Sequence, residues 1–247
     1  MTPLRDAPPP YATIVFDVDS TLSAIEGIDE LAEAAGMRKE VSELTNRAMR
    51  GEIPLESVYK SRLDAIRPSR EALEKLGKKY VKRVLPHARE LVRALGKLDK
   101  RVCIVSGALE PAVRMLAEHL DIEKSGVFAV PVRHASDGTY AGFDESSPLA
   151  RSGGKIAYVR RLAEASQGGL AIVGDGITDL EAAESASRFI AFGGVVKRGP
   201  VFERARVTCE KRDLAALLPL LVSPAEIRQL ESASSLASLV KTARSLA

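Results

Sequence analysis

The amino-acid sequence predicts an α/β fold, in which a doubly wound, Rossmann-like parallel sheet carries an inserted helical cap and a small β-hairpin excursion. Short apolar runs alternate with helical stretches, and one long interval shows helical periodicity only. The composition is that of an ordinary folded chain, with 45% hydrophobic and 28% charged residues in a length of 247. At this length we expect one main domain with a smaller insertion.

Four apolar runs predict buried strands, because they are rich in Val and Ile, are bounded by turn residues and lack polar alternation. They cover residues 11–17, 102–106, 170–175 and 188–192. The stretches between them are rich in Ala, Leu, Glu and Arg at helical spacing. This alternation predicts a parallel sheet covered by helices.

The long interval of residues 22–85 holds several amphipathic helical segments and no convincing strand. We interpret it as a helical cap inserted after the first strand, with Pro86 marking the return to the main domain. The chain is therefore divided into an α/β core and a cap, formed by residues 1–22 with 86–247 and by residues 23–85.

Two further segments depart from the alternation. Residues 126–145 alternate β-formers around an Asp137-Gly138 turn signal, which predicts a β-hairpin. The residues after Pro224 are rich in Ala, Ser and Leu, and they predict a helical tail without a polar constellation.

The composition argues against several functions. No apolar run approaches the roughly 20 residues that span a bilayer, and the first residues lack the apolar segment of a secretory signal. The net charge is only +3 and aromatic residues make up 4%, which disfavours nucleic acid as a partner. The two cysteines, both in or near apolar runs, fit a reducing compartment. We therefore expect a cytoplasmic protein with neither a membrane nor a nucleic acid as partner.

Polar side chains follow three of the predicted strands. Asp17 and Asp19 come at the end of the first, Ser106 ends the second, and Asp175 and Asp179 follow the third. Ligands bind in the crevice at the carboxyl ends of such strands, so these residues should converge there. Converging carboxylates repel one another unless a cation neutralises them, and an all-oxygen site of this kind suits Mg²⁺.

Lys155 follows Ser-Gly-Gly at the start of a predicted helix, where its charge can meet a phosphate. It is not a P-loop lysine, because Ile156 stands where that motif has Ser or Thr. Ser106 lacks the flanking glycines of a nucleophile elbow, which disfavours a seryl nucleophile. The three histidines are scattered without metal-ligand spacing.

These residues together resemble the haloacid dehalogenase superfamily. The string DVDST, which begins at Asp17, resembles its first motif, and Ser106, Lys155 and residues 174–179 (GDGITD) resemble the second, third and fourth in the same order. Further strings resemble the branch of the superfamily that hydrolyses O-phospho-L-serine, in its animal and plant form. They are EGIDELA, SELTNRAM, YAGFDE, SGGK and AFGG.

The resemblance implies a role for each matching residue. Asp17 corresponds to the nucleophile that accepts the phosphoryl group. Asp19 corresponds to the acid that protonates the departing serine oxygen and then activates water. Ser106 and Lys155 correspond to the phosphate ligands. These four are the catalytic residues that the resemblance implies.

The resemblance also implies a cofactor and a substrate pocket. Mg²⁺ is expected on Asp17, the backbone carbonyl of Asp19 and Asp175, with Asp179 as a supporting carboxylate. In the pocket, a Glu is expected to bind the ammonium of the substrate and an Arg its carboxylate. The residues implied around the substrate are Glu26, Met49, Arg62, Ser106, Gly107, Lys155, Thr178 and Arg198.

Two departures from the family pattern concern the pocket wall. Ala108 and Leu109 follow Gly107 where the family usually has Gly and Phe, and Arg50 stands where the animal form has Gly. The first change reshapes the wall beside Ser106, and the second adds a charge at the cap.

The expected activity is Mg²⁺-dependent hydrolysis of O-phospho-L-serine to L-serine and phosphate through an aspartyl phosphate, as a step of serine biosynthesis. An alternative is phosphoryl transfer from phosphoserine to homoserine, or hydrolysis of another small phosphomonoester on the same site. A catalytically silent binding protein would require the loss of Asp17 or Asp19, and both are present. The number of subunits stays open, with a homodimer as one candidate.

Overall fold

The computed structural model describes residues 6–49, 55–233 and 235–246. Its strands are β1 Tyr11–Phe16, β2 Arg101–Leu109, β3 Val127–Val130, β4 Val132–His134, β5 Tyr140–Phe143, β6 Gly169–Gly174, β7 Arg188–Phe192 and β8 Val207–Cys209. Six of them form one parallel sheet in the order β3-β2-β1-β6-β7-β8, and β4 and β5 form a separate antiparallel pair. The predicted doubly wound α/β class is confirmed.

The sheet is buried on both faces, as the continuous apolar runs predict. In β1 all residues except Ala12 are buried, and β6 is buried from Leu170 onward. Helices cover these strands, because the long interval between parallel strands returns the chain across a face of the sheet. The helices of the core are α5 Ala88–Lys97, α6 Glu110–His119, α7 Gly154–Glu164, α8 Ile177–Ala182, α9 Gly199–Phe202, α10 Leu218–Leu221, α11 Pro224–Glu231 and α12 Ala237–Leu246.

The segment between β1 and α5 is helical, as its amphipathic periodicity predicts. Its helices are α1 Gly27–Ala34, α2 Arg38–Met49, α3 Leu55–Ile66 and α4 Arg70–Lys82. The last of them begins at a clear N-cap, where the Ser69 hydroxyl accepts a hydrogen bond from the Ala72 amide at 3.2 Å.

The two connections between the core and this helical segment lie side by side. The Ala24 amide donates to the Arg83 carbonyl at 2.9 Å, and the Leu85 amide donates to the Leu22 carbonyl at 3.0 Å. Ser23 also pairs with Val84 across the same short antiparallel bridge. The helical segment between β1 and α5 therefore leaves and rejoins the rest of the chain at one place.

Helix α4 is closely joined to the core, although it is part of the inserted segment. It packs along α6, and Gly77 makes the close approach possible. A Cβ atom built on Gly77 would overlap the side chain of Met115, so a larger residue here would force the two helices apart.

The second excursion differs in part from its prediction. The hairpin and its turn at Asp137-Gly138 are present as β4 and β5, but residues 127–130 do not belong to it. They form β3, which extends the main sheet in parallel to β2. Strand β8, a three-residue edge strand, was also not among the predicted strands.

The C-terminal residues form α11 and α12 as predicted, and both pack on the core through buried apolar side chains such as Leu230 and Leu239. Cys103 and Cys209 are buried free thiols. Within the part of the chain that the structure describes, no helix has the length and apolar character needed to cross a membrane.

Candidate active site

The sheet topology creates a crevice next to β1. The chain runs from β1 to one side through β2 and β3, and then crosses back to β6 on the other side of β1. Phe16, the last residue of β1, is in register with Ile104 of β2 and Val173 of β6. The residues that follow these strands are therefore brought together at a topological switch point, the usual ligand site of such sheets.

Asp17, Asp175 and Asp179 form a buried cluster at this crevice. One carboxylate oxygen from each lies within 4.8 Å of the others. The Lys155 ammonium lies between two of them, 2.6 Å from Asp17 Oδ2 and 2.7 Å from Asp179 Oδ1. Asp179 is held further by the Gly176 amide, which donates to its Oδ2 at 3.1 Å.

Burial and charge shift the pKa values of this cluster. Burial alone would lower the pKa of Lys155, but the carboxylates of Asp17 and Asp179 outweigh it and hold that pKa above its usual value. Burial raises the pKa of Asp179, and the Lys155 charge opposes the rise. Burial and the negative charge of Asp17 raise the pKa of Asp175, while Arg198 opposes them.

Asp19 lies beside the cluster but is held by other groups. Its Oδ1 atom accepts a hydrogen bond from the Gly27 amide at 3.0 Å and one from the Tyr80 hydroxyl at 2.6 Å. Burial, and after it the charge of Glu26, raise the pKa of Asp19 well above its usual value. A carboxyl group with a raised pKa can hold a proton near neutral pH and give it to a leaving group.

Glu26 is linked to the cluster through an arginine. Arg198 donates to Asp175 Oδ2 at 2.8 Å and to Glu26 Oε1 at 3.0 Å. The Ser20 hydroxyl donates to the same Glu26 oxygen at 2.7 Å. Burial raises the pKa of Glu26, and the Ser20 hydrogen bond opposes this. The structure thus brings Glu26 and Arg198 together, next to Asp175.

Arg62 extends from α3 toward the same region. Its guanidinium lies 6.0 Å from the ring centre of Tyr59, within the field of the carboxylates of Glu26 and Asp19. Burial lowers the pKa of Arg62. Helix α3 therefore places a desolvated guanidinium close enough to Asp29, Glu26 and Asp19 to feel their charges, where it can meet an anionic group.

The wall of the crevice is formed by the end of β2. Ser106 is buried, and its hydroxyl oxygen accepts a hydrogen bond from the Ala108 amide at 3.2 Å. The Gly107 carbonyl accepts a hydrogen bond from the Tyr59 hydroxyl at 2.8 Å. Leu109, which stands where the family usually has Phe, is buried in the core.

The remaining predicted residues are placed as follows. Thr178 is half-buried in the first turn of α8, next to the carboxylate cluster. Met49 ends α2, but its side chain lies outside the described part of the structure, as does all of Arg50.

The cluster fits a hard divalent cation. All of its ligand atoms are carboxylate oxygens, which Mg²⁺ prefers over nitrogen or sulfur. Asp17 and Asp175 each keep an oxygen, Oδ1, that takes no bond from Lys155 or Arg198. Asp179 instead binds Lys155 and the Gly176 amide through its two oxygens, and this suits a supporting carboxylate rather than a direct ligand.

Several described side chains that contact the site were not among the predicted site residues. They include Ser20, which donates to Glu26, Thr21, which donates to Asp175, and the tyrosines Tyr59 and Tyr80. Ser20 lies inside the DVDST string, so its position in this motif could have indicated that it lies at the site. The tyrosines carry no signal, because an aromatic residue on an amphipathic helix predicts only a core position.

Comparison with known proteins agrees with this site. Residues 14–184 match the family of haloacid dehalogenase-like hydrolases. The chain belongs to this family, which confirms the superfamily resemblance, and it is an enzyme of the hydrolase class.

Several of the similar proteins are phosphoserine phosphatases. Human phosphoserine phosphatase is 41% identical over 194 residues, which cover 78% of this chain and 86% of the human protein. The chloroplastic phosphoserine phosphatase of Arabidopsis thaliana is 38% identical, over 78% of this chain and 66% of the plant protein. A solved structure of a phospho-aspartyl intermediate analogue of phosphoserine phosphatase has 30% identity and a TM-score of 0.70, covering 86% of this chain and 100% of that one.

The Lys155 pairs lead to a prediction about stability. The Lys155→Met substitution leaves buried carboxylates without their cation, so the free energy of unfolding should fall by about 3–5 kcal/mol. The matched control is Lys197→Met, which removes an exposed pair with Glu210 at 2.7 Å and should cost less than about 1 kcal/mol. Denaturant unfolding in EDTA measures both.

The loss should also depend on pH. Burial already raises the pKa of Asp179 to about 8 with Lys155 present, and loss of the Lys155 charge should raise it further, so the folded variant holds this proton to higher pH than the folded wild-type chain does. Stability from such a group is present at low pH and lost as the pH rises. The deficit of Lys155→Met should therefore grow from acidic to alkaline pH, and equal losses for both variants at every pH would contradict the buried ion pair.

Proposed function

We propose that this chain is a phosphoserine phosphatase, which hydrolyses O-phospho-L-serine to L-serine and phosphate with Mg²⁺ as cofactor. The observation that carries the proposal is the buried carboxylate of Asp17, which lies against Lys155 at the switch point and below a cap that supplies Arg62 and Glu26. The identity to phosphoserine phosphatases over most of the chain supports the choice of substrate.

In the first step an oxygen of Asp17 attacks the phosphorus atom. The bond between phosphorus and the serine oxygen breaks, and Asp19 donates a proton to that oxygen, so L-serine leaves as the alcohol. An acyl phosphate remains on Asp17. The Lys155 ammonium, 2.6 Å from Asp17, offsets the negative charge that the phosphoryl group brings to the carboxylate.

In the second step Asp19, now ionised, removes a proton from a water molecule that attacks the phosphorus. The bond between Asp17 and phosphorus breaks, phosphate leaves, and both carboxyl groups return to their starting states. Ser106 lies in the second half of β2, two residues beyond the point where this strand pairs with the end of β1, and its hydroxyl can hold a phosphate oxygen there in both steps. Gly107, with no side chain, lets the phosphate approach the backbone there.

The divalent cation is expected on Asp17, Asp175 and the backbone carbonyl of Asp19, with Asp179 in support. When bound, it supplies positive charge that offsets repulsion among these carboxylates and the phosphate. Asp17 Oδ2 and Asp175 Oδ2 are already committed to Lys155 and Arg198. The two Oδ1 atoms have only neutral donors, the Val18 amide at 2.7 Å from Asp17 Oδ1 and the Thr21 hydroxyl at 3.4 Å from Asp175 Oδ1. Since a carboxylate oxygen has more than one lone pair, we assign these two atoms as the ligands.

The cap is proposed to select the serine part of the substrate. We assign the cap to residues 23–85 and the catalytic core to residues 1–22 and 86–247. In the cap, Glu26 is placed to bind the substrate ammonium and Arg62 its carboxylate. The remaining substrate contacts that we propose are with Met49, Thr178 and Arg198.

We further propose that the enzyme works in the cytoplasm as part of serine biosynthesis. Dependence of phosphate release on an added acceptor such as homoserine would indicate phosphoryl transfer instead. A screen of small phosphomonoesters with Mg²⁺, with and without the acceptor, separates these activities in one assay.

The two aspartates of the first motif should behave differently on substitution. Asp17→Asn should abolish turnover, because an amide cannot form the acyl phosphate. Asp19→Asn should keep substrate binding and lose roughly 10²–10⁴-fold in rate, the usual worth of a positioned acid and base. Steady-state phosphate release from phosphoserine measures both. A covalent phosphate found on Ser106 rather than Asp17 would overturn the assignment.

Removal of the metal should be reversible. Activity is expected to disappear in excess EDTA and to return with Mg²⁺, because the carboxylates of Asp17 and Asp175 repel an incoming phosphate when no cation is bound. Ca²⁺ should substitute poorly, because its looser shell accepts both oxygens of Asp17 and so occupies the nucleophile. Full turnover by metal-free protein would rule out the proposed cofactor.

Arg62 should determine specificity rather than chemistry. For phosphoserine, Arg62→Ala should raise KM by roughly 10–100-fold, since it removes a charge-assisted bond to the substrate carboxylate. For phosphoethanolamine, which lacks that carboxylate, kcat/KM should scarcely change. Lys60→Ala is the matched control, because Lys60 is a half-exposed cation on the same helix. Wild-type kcat/KM values that are equal for the two substrates would contradict this assignment.

A further inference from the structure

Tyr80 is a fully buried cap residue whose hydroxyl reaches the active site. Its exposed fraction is 0%, and the hydroxyl donates to Asp19 Oδ1 at 2.6 Å. Burial and the neighbouring Asp19 carboxylate raise the pKa of this phenol well above its usual value. The hydroxyl therefore stays protonated, as a permanent donor to Asp19.

The structure makes room for this contact at Gly27. The Gly27 amide donates to the same oxygen of Asp19 at 3.0 Å, so the phenol must approach the backbone closely. A Cβ atom built on Gly27 would overlap the Tyr80 hydroxyl oxygen. A side chain at this position would therefore displace one of the two donors.

Tyr80 is held in place independently of Asp19. Its carbonyl accepts a hydrogen bond from the Ser23 hydroxyl at 3.1 Å, at the junction of cap and core. Its helix, α4, is joined to the core helix α6 through the close contact of Gly77 with Met115. The phenol is therefore a rigid donor, and Asp19 is the group that it orients.

Both donors bond the same carboxyl oxygen, which has a consequence for catalysis. An oxygen that already accepts two hydrogen bonds is a poor place for a proton, so the proton of the neutral acid belongs on Oδ2. We propose that Tyr80 is a positioning residue, which fixes the Asp19 side chain so that Oδ2 exchanges the proton with the leaving group and with water. This rests on the proposed role of Asp19 as acid and base.

The alternative is that the Tyr80 hydroxyl only stabilises the fold. A second buried tyrosine, Tyr11, provides a matched control for this alternative. Tyr11 is also buried, at 2% exposure, and its hydroxyl also donates a 2.6 Å hydrogen bond, to the Ala7 carbonyl. It lies at the start of β1, the end of the strand away from Asp17. Tyr11→Phe therefore removes a similar buried bond without touching the site.

The test is a double-mutant cycle on phosphoserine hydrolysis. Tyr80→Phe should lower kcat by roughly 10–100-fold, the worth of a hydrogen bond to a charged group, with KM changed less than about twofold. In the Asp19→Asn background the same substitution should lower kcat by less than about twofold, because the group that it orients has lost its function. Tyr11→Phe should leave kcat unchanged in both backgrounds.

Either of two results would overturn the proposal. In the first, Tyr80→Phe has the same kcat as Tyr11→Phe. In the second, Tyr80→Phe lowers kcat by the same factor in the wild-type protein and in the Asp19→Asn variant. If Tyr80→Phe does not fold, Gly27→Ala replaces it. Its Cβ overlaps the Tyr80 hydroxyl, so one of the two hydrogen bonds that orient Asp19 is lost and the same pattern is expected. If phosphoserine is not hydrolysed but p-nitrophenyl phosphate is, the proposed substrate fails, and the cycle is run on the aryl phosphate with the same criteria.

Discussion

The site depends on several buried carboxylates being kept together at one edge of the sheet. Buried like charges at these distances would push the strand ends apart. Two cationic side chains offset this repulsion. Lys155 contacts the cluster from the first turn of α7, and Arg198 contacts it from the N-cap of α9. The same negative charge that makes the cluster costly suits it to the divalent cation that we propose there.

The cap acts on this edge through two kinds of contact. Helix α4 is joined closely to the core. Ser23 holds the backbone of Tyr80 on this helix, and the Tyr80 hydroxyl donates to Asp19, the proposed acid and base. Helix α3 contributes Tyr59 and Arg62, which lie over the wall at Gly107 and the carboxylates. In the function that we propose, helix α4 thus acts on the chemistry through Asp19, and helix α3 on the selection of the substrate through Arg62.

Much of this was accessible from the sequence, because the informative residues follow strands. Asp17 and Asp175 stand directly after apolar runs, and parallel pairing brings such positions together whatever the rest of the chain does. Residues 127–130 were assigned to the hairpin because periodicity finds a strand but does not say which strand it pairs with. The sequence carries no signal for Tyr80, because its hydroxyl acts only through a contact with a residue 61 positions away in the chain.

The paired connections at Leu22–Ala24 and Arg83–Leu85 also bear on how such a protein can change over evolution. The insertion starts and ends at one place. Its length therefore does not affect the geometry of the core at that place. Insertions with adjacent ends are tolerated without disturbing the host domain, and added loop length costs little entropy. The helices between these two connections can therefore be exchanged or reshaped for a new substrate while the carboxylate cluster at the edge of the sheet stays the same.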